Sequence, residues 1–328
     1  MPLSRLIKSA AIAAARVRAS AGRADISIFH DFVPPPYGGG NQFLWGLRRE
    51  LERRGWRVEN NSISPTTRAC LYNSFNFDFD RLARMRRTGC RMVHRVDGPI
   101  AAYRGVDEGI DQRIWKVNHD SADVTIFQSE YSRRSHESMG LQFRQPQVIR
   151  NAADPAIFHS RDRRPFLSGP RVRLIATSWS ANVNKGADVY EYLDRHLDFS
   201  RFEFTFLGRT PVTFTNITTL PPAPSAGVAE QLRSHDIFVI GSRNEPCSNA
   251  LTEALSCGLP AVYLDSGSHA EVVGPGGVAF RTPAEAPSAI GQVAREHPTI
   301  AARVMAPRLP DVVDRYLALM GLPQQPER

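Results

Sequence analysis

The chain of 328 residues lacks several marks by which a sequence usually declares its work. Its four cysteines, Cys70, Cys90, Cys247 and Cys257, share no metal-ligand or redox spacing. That argues for free thiols in a reducing, cytoplasmic compartment rather than a disulfide framework or a zinc site. No apolar run approaches the ~20 residues needed to cross a bilayer, which excludes an ordinary membrane-spanning helix. No G-x-G-x-x-G follows the first strand-like run of either half, which weighs against a Rossmann oxidoreductase. No short-period repeat or low-complexity tract is present. Acidic residues are missing from residues 1–24, which hold Arg5, Lys8, Arg16, Arg18 and Arg23 and so supply five units of the formal net charge of +8. The remainder is close to balance, without the concentrated basic face that nucleic acid binding needs.

What is there is an alternation of strand-like and helix-like stretches. "DISIFHDF" (25–32), a β-branched and aromatic run, leads into "VPPPYGGG" (33–40), where prolines stiffen the strand exit and glycines free the backbone. Asn41 is placed to cap a helix in which Phe43, Leu44, Leu47 and Leu51 recur at helical spacing. Further strand-like runs follow at "WRVEN", "CLYNSF", "RMVHRV" and "VTIFQS". After the charged, aperiodic "HSRDRRPFLSGPR" (159–171) a second alternation runs through "VRLIATS", "FEFTFLG", "DIFVIGS" and "PAVYLD". The pattern predicts an α/β protein of two Rossmann-like βαβ domains with parallel sheets facing a central cleft. Their expected extents are 24–160 and 161–328, preceded by a basic amphipathic segment, 1–23.

The stretch "EPCSNALTEALSCGLP" (245–260) sets two carboxylates eight positions apart, Glu245 just outside a predicted helix and Glu253 within it. A strand-like run precedes them, and Gly258 and Pro260 mark the helix stop. The pair brackets a strand-to-helix turn, which in a parallel sheet lies on the ligand side. In isolation such a pair is more often a solvated helix face and a favourable charge near a helix start.

Taken with the Gly-rich turn (Gly38, Gly39, Gly40), "NAADPAIF" before the boundary, and Lys185-Gly186 after the first strand of the second half, these residues resemble the retaining GT-B glycosyltransferases of the family 4 group (glycosyl transferases group 1). The resemblance runs from about Asp25 onward and is most specific in the second half. It implies the GT-B fold, an N-terminal acceptor domain and a C-terminal donor domain that binds a nucleotide-diphosphate sugar. Glu253 matches the glutamate that accepts the ribose hydroxyls. Glu245 matches the one reaching the donor sugar. Backbone N–H groups of Ser248, Asn249 and Ala250 face the diphosphate at a helix start. Lys185 matches the lysine that offsets charge on the departing phosphate. The arginine that many members carry a few residues earlier is absent from "SWSANVNKG", leaving Arg209 or Arg243 as candidate substitutes. In the first half the glycine loop is expected to let backbone approach the donor phosphates, His94 to hydrogen-bond the donor sugar or the acceptor near the reacting carbon, and Asp97 to contact sugar or acceptor.

The resemblance further implies transfer with retention by a hexosyl- or N-acetylhexosaminyl-type enzyme, no enzyme nucleophile, and no cofactor or metal. The acceptor, whether glycan, lipid or small molecule, is not specified. A catalytically silent sugar- or nucleotide-binding protein of the same fold is the alternative. Asp78 and Asp80 in "NFDFDRLARM" have the D-x-D spacing that holds a divalent ion in the other major glycosyltransferase fold, but they lead into a helical pattern and read as a helix start. In residues 1–23, Leu3, Leu6, Ala10, Ala14 and Val17 gather on one helical face against Arg5, Lys8, Arg16 and Arg23 on the other. An anionic membrane surface at the inner face is thus a candidate partner, beside a targeting segment or a helix packed on the enzyme.

Overall fold

A computed structural model describes residues 23–33, 39–105, 108–166 and 170–326. These fall into two compact units, one ending at Arg150 and regaining the chain from Leu309, the other running Asn151–Arg308.

The first unit contains β1 (Ile26–Phe29), α1 (Gly39–Arg53), β2 (Val58–Asn60), β3 (Ala69–Asn73), α2 (Phe79–Met85), β4 (Arg91–Val96), α3 (Ile100–Arg104), α4 (Ile110–Ser121), β5 (Val124–Phe127), α5 (Glu130–Ser138) and β6 (Pro146–Val148). Its six strands pair in parallel in the order β2-β1-β3-β4-β5-β6. β1, β3 and β5 are buried along their whole length, as expected of strands covered on both faces. Phe43, Leu44, Leu47 and Leu51 form the buried stripe of α1. Asn41 is not its cap: the helix begins two residues earlier, and the Asn41 side chain instead accepts from the Val33 N–H at 3.1 Å and donates to the Val33 carbonyl at 2.9 Å.

The second unit contains β7 (Val172–Ser178), a 3-10 turn (Val183–Lys185), α6 (Ala187–His196), β8 (Phe202–Gly208), β9 (Thr218–Leu220), α7 (Ser225–Ser234), β10 (Ile237–Ile240), α8 (Asn249–Ser256), β11 (Ala261–Leu264), α9 (His269–Val273), β12 (Gly277–Phe280), a second 3-10 turn (Pro283–Glu285), α10 (Ala286–Arg295) and α11 (His297–Ala301). Its sheet is again six-stranded and parallel, in the order β12-β11-β10-β7-β8-β9. One face packs Val189, Leu193, Ile290 and Val293 against Phe204 and Val239; the other packs Leu232, Leu251 and Leu255 against Ile175 and Phe238. At the amino edge, Arg173 clasps Asp236 through two hydrogen bonds of 2.9 and 2.6 Å, both side chains buried.

The last helix, α12 (Leu309–Leu319), belongs to the first unit. Leu309 packs at Gly46 of α1, Tyr316 lies 5.9 Å from Phe43, and Arg54 binds both Asp314 (2.5 Å) and the Pro310 carbonyl (2.9 Å). The expected domain limits therefore shift. The break falls at Arg150 rather than residue 160, and the second unit stops at Arg308. The reason is local: Asn151 hydrogen-bonds Asn249 at 2.9 Å, which carries the "NAADPAIF" stretch with the second unit.

Candidate functional site

The loops at the carboxyl edge of the second sheet are drawn together by glycines that no other residue can replace. Gly186 has φ +83°, and a Cβ there would sit 2.3 Å from the Gly241 carbonyl oxygen. That contact seats the turn after β7 against the loop after β10. Two further ties reinforce it: the Arg243 N–H donates to the Asn184 carbonyl at 2.8 Å, and the Arg243 guanidinium holds Asp188 through two 2.7 Å bonds. On the other side Gly267, with φ +61°, lies so close to Glu245 that a Cβ would meet its backbone nitrogen at 2.6 Å, and the Ser268 N–H donates to the Glu245 carbonyl at 3.0 Å. Glu245 is fixed from both sides.

Within that frame the Lys185 ammonium donates to Glu245 Oε1 at 2.5 Å. The lysine side chain is 24% exposed and the glutamate 8%, so the pair has a dry end and a wet end. Lys185 and Glu245, sixty positions apart in sequence, thus share one spot. Ser248 caps α8, its Oγ accepting from the Leu251 N–H at 3.4 Å. Asn249 and Ala250 open that helix, where the first N–H groups have no intrahelical acceptor. Glu253 stands one turn further on. It is only partly shielded from solvent, yet crowded enough that desolvation pushes its carboxyl up to about 8. No cation or hydrogen-bond donor reaches its carboxylate among the described residues, which is why nothing opposes that shift.

The two candidate arginines differ. Arg243 is committed to Asp188, which also holds the Asp188 carboxyl below its ordinary value. Arg209 is exposed, follows β8, and lies 4.9 Å over the Trp179 ring without an ion pair among the described residues. It stays beside β7 because Gly208 (φ +130°) hugs the Ser178 carbonyl, to which the Arg209 N–H donates at 2.8 Å.

The first unit is different from expectation. His94 is fully buried within β4 and stacked on Tyr72 at 4.2 Å, with no accessible surface to offer a sugar. Its Nε2 pairs with the Ser74 carbonyl at 3.2 Å and its Nδ1 with the Asn118 amide at 3.2 Å, so both nitrogens of the neutral ring are used. Burial pushes its pKa down to about 3. This is the geometry of a satisfied core histidine and departs from the role expected of it. Asp97 lies just beyond the strand and is held by Arg95 at 2.9 Å and by Gln128. Arg95 is the residue the sequence reading missed. It is wholly buried, donates to Asn73 Oδ1 at 2.6 Å, and carries its guanidinium 4.9 Å over Phe43. Gly40, in the first turn of α1, lies over that pair: a Cβ there would meet Arg95 and Asn73 each at 4.0 Å. Gly39 opens the helix beside it, while Gly38 and residues 1–22 lie outside the described residues. The available signal for Arg95 was a charged residue inside an apolar strand. Asp78 caps α2, accepting from the Arg81 N–H at 2.9 Å, in keeping with a helix start.

Residues 201–296 match the family described as glycosyl transferases group 1. Among solved structures, the sucrose-phosphate synthase of Thermosynechococcus elongatus is similar with a TM-score of 0.66 and 13% identity, covering 91% of this chain and 96% of that one. Anabaena Alr3699/HepE, solved with UDP and glucose, matches with a TM-score of 0.66 and 14% identity over 91% of this chain and 100% of that one. The catalytic domain of starch synthase IV from Arabidopsis thaliana, bound to ADP and acarbose, matches with a TM-score of 0.67 and 11% identity over 92% and 99%. A curated relative, the catalase-peroxidase of Mycolicibacterium gilvum, is 24% identical over 221 residues, covering 63% of this chain and 27% of that protein; the chain spans about a quarter of its length. The fold is that of the GT-B glycosyltransferases. The segment 201–296 that matches the group 1 glycosyltransferase family holds Arg209, Glu245 and Glu253. No helix among the described residues is long and apolar enough to cross a membrane.

Proposed function

We propose that the chain is a retaining glycosyltransferase that takes a nucleotide-diphosphate sugar on its second unit and passes the sugar, of the hexosyl or N-acetylhexosaminyl type, to an acceptor hydroxyl. The observation that carries this reading is the Lys185–Glu245 pair at the carboxyl edge of the sheet, followed one turn into α8 by Glu253, whose carboxylate has no donor among the described residues. Similar structures were solved with UDP and with ADP, which supports a nucleotide-linked donor.

Each group has a physical task. Glu253, deprived of donors, is an acceptor for two ribose hydroxyls, which would favour its ionised form. The opening N–H groups of α8 receive the diphosphate. Lys185, released from Glu245, offsets the charge that grows on the leaving phosphate, and Glu245 then takes the hydroxyls of the transferred sugar. Arg209 is the better candidate for the second phosphate cation, because Arg243 is already spent on Asp188. The leaving phosphate draws the proton from the attacking hydroxyl, so neither a protein nucleophile nor a metal is required. Asp78, engaged as a helix cap, fits that metal-free route. Residues 1–23 are proposed to rest on an anionic membrane surface.

The test is a panel of UDP-, GDP- and ADP-sugars followed for hydrolysis, with thermal shifts by the free nucleotides. Stabilisation by one nucleotide together with slow hydrolysis of its sugar is the expected outcome. Stabilisation without turnover would favour a silent binding protein; no response to any nucleotide would overturn the donor site.

A further inference from the structure

A cavity of about 330 Å³ opens in the first unit between the start of α2 and the start of α4. That volume is at the lower end of ordinary ligand pockets. Its lining segments follow the carboxyl ends of β3 and β4, the side of a parallel sheet on which ligands bind. The floor is apolar: Phe75, Phe77 and Ile110. The rim carries Phe79, half-buried and edge-on to Phe77 at 4.7 Å, with Asp78, Asp80 and Arg113 around it, all three exposed. The Arg113 guanidinium is 5.1 Å from the centre of the Phe79 ring, which keeps its donors at the cavity mouth. Neither Asp80 nor the Arg113 side chain has an ion pair or hydrogen bond among the described residues, while Asp78 spends Oδ1 on its cap.

The chemistry of this lining is selective. A hard divalent ion needs six or more oxygen ligands, and two carboxylates over phenyl rings do not supply them. An anion would meet those carboxylates. A quaternary ammonium would have to displace the arginine from the aromatic face. A neutral ring with an apolar side and a hydroxyl-bearing edge meets every part: C–H groups against the phenyl rings, hydroxyls donating to Asp80 and to the second oxygen of Asp78, and accepting from Arg113.

We propose that this cavity binds a neutral sugar ring, and that, if the glycosyltransferase reading holds, the acceptor is therefore a glycan or glycoside. The proposal rests on that reading only for the word acceptor; sugar binding itself is independent of it. Saturation-transfer NMR with the methyl glycosides of glucose, galactose, mannose, N-acetylglucosamine and rhamnose, with choline as the competing chemistry, tests it on the full chain. At least one glycoside is expected to receive saturation on its ring C–H protons. Its affinity should fall on the order of tenfold in Phe79→Ala and in the exposed Arg113→Gln, the latter leaving the thermal midpoint in place. Binding equal to wild type in a folded Arg113→Gln, saturation of choline instead of sugars, or no binding by any glycoside overturns the proposal. Calorimetry with UDP, GDP and ADP on the same samples separates the two readings: sugar bound without nucleotide sinks the donor site alone, and the reverse sinks the cavity alone.

Discussion

Both units place polar side chains at the carboxyl edge of a six-stranded parallel sheet, but they use them in opposite ways. In the first, Arg95 ties Asn73 to Asp97, Gln128 also holds Asp97, and His94 is closed off by Ser74 and Asn118. In the second, the Lys185–Glu245 pair keeps one end in solvent and Glu253 has no donor among the described residues. A buried network tied together by hydrogen bonds contributes to folding energy; a carboxylate short of partners is a candidate ligand group. The first edge should therefore register in stability and the second in ligand affinity and turnover.

The sharpest way to break that contrast is Arg95→Ala. It removes a fully buried cation and takes one hydrogen bond each from Asn73 and from Asp97, which keeps Gln128, and should destabilise by about 3 kcal/mol, the low end for one member of a buried pair. Urea unfolding would show it. An unchanged midpoint would mean that the first edge is not structural. Lys185→Ala should act the other way, lowering turnover by roughly 10²–10³ while the fold persists, by analogy with a lost oxyanion donor. Glu253→Ala comes next. It should cost nucleotide binding about 1.5–3 kcal/mol, with Glu245→Ala sparing the free nucleotide and reducing transfer instead. Equal calorimetric losses in the two variants would erase the division between them.

Proton linkage gives the comparison a further edge. The buried, neutral His30 and His94 have pKa values lowered to about 4 and 3 by desolvation, so the unfolded chain binds more protons below its ordinary histidine value. Their contribution is complete above pH ~6.5 and is lost as pH falls toward about 4 for His30 and about 3 for His94. Glu253 has the reverse sign. Its carboxyl is raised to about 8, so the folded state holds the extra proton, and stability falls as pH rises from about 4.5 to 8. Glu253→Gln should flatten that slope and leave the protein more stable than wild type at pH 8, by on the order of 1–3 kcal/mol after discount for its partial exposure. A ligand that ionises Glu253 should bind more tightly at pH 8 than at pH 7 and release a proton. Calorimetry in two buffers of different ionisation heat measures this directly. Smallest of all, Asp78→Ala removes a helix cap worth about 1 kcal/mol and should leave nucleotide affinity intact.

How legible each region was in the sequence follows from the same contrast. β7 and β8 coincide with "VRLIATS" and "FEFTFLG": β7 buries five residues in succession, while β8 alternates buried Phe202, Phe204 and Phe206 with half-buried Glu203 and Thr205, and both are strand patterns legible in sequence. β6, β9 and β12 went unread. Each is an edge strand of three or four residues, and Pro146–Val148 and Thr218–Leu220 bury nothing fully. Glu245, Glu253 and Lys185 could be singled out because their order and setting resemble a known family; alone, the two glutamates read as a solvated helix face and a charge near a helix start. Arg95 could not, since inside "RMVHRV" it is one polar letter next to a more conspicuous histidine, and only the fold reveals which of the two faces Asn73 and Asp97. The apolar stripe of the final helix states that it packs, not on what, so its place in the first unit is not legible in the sequence.

The return of α12 to α1 has a consequence for the order in which the protein is made. Arg54 and Asp314 meet across 260 positions of chain, and everything in the second unit lies between them. Emerging from the ribosome, the first sheet is complete well before its covering helix exists, with the α1 surface around Phe43 and Gly46 still bare. The second unit, all of it contiguous, is finished in the interval. The half of the protein that is synthesised first is thus the half that matures last, and its uncovered helix is the surface a chaperone would meet on the nascent chain.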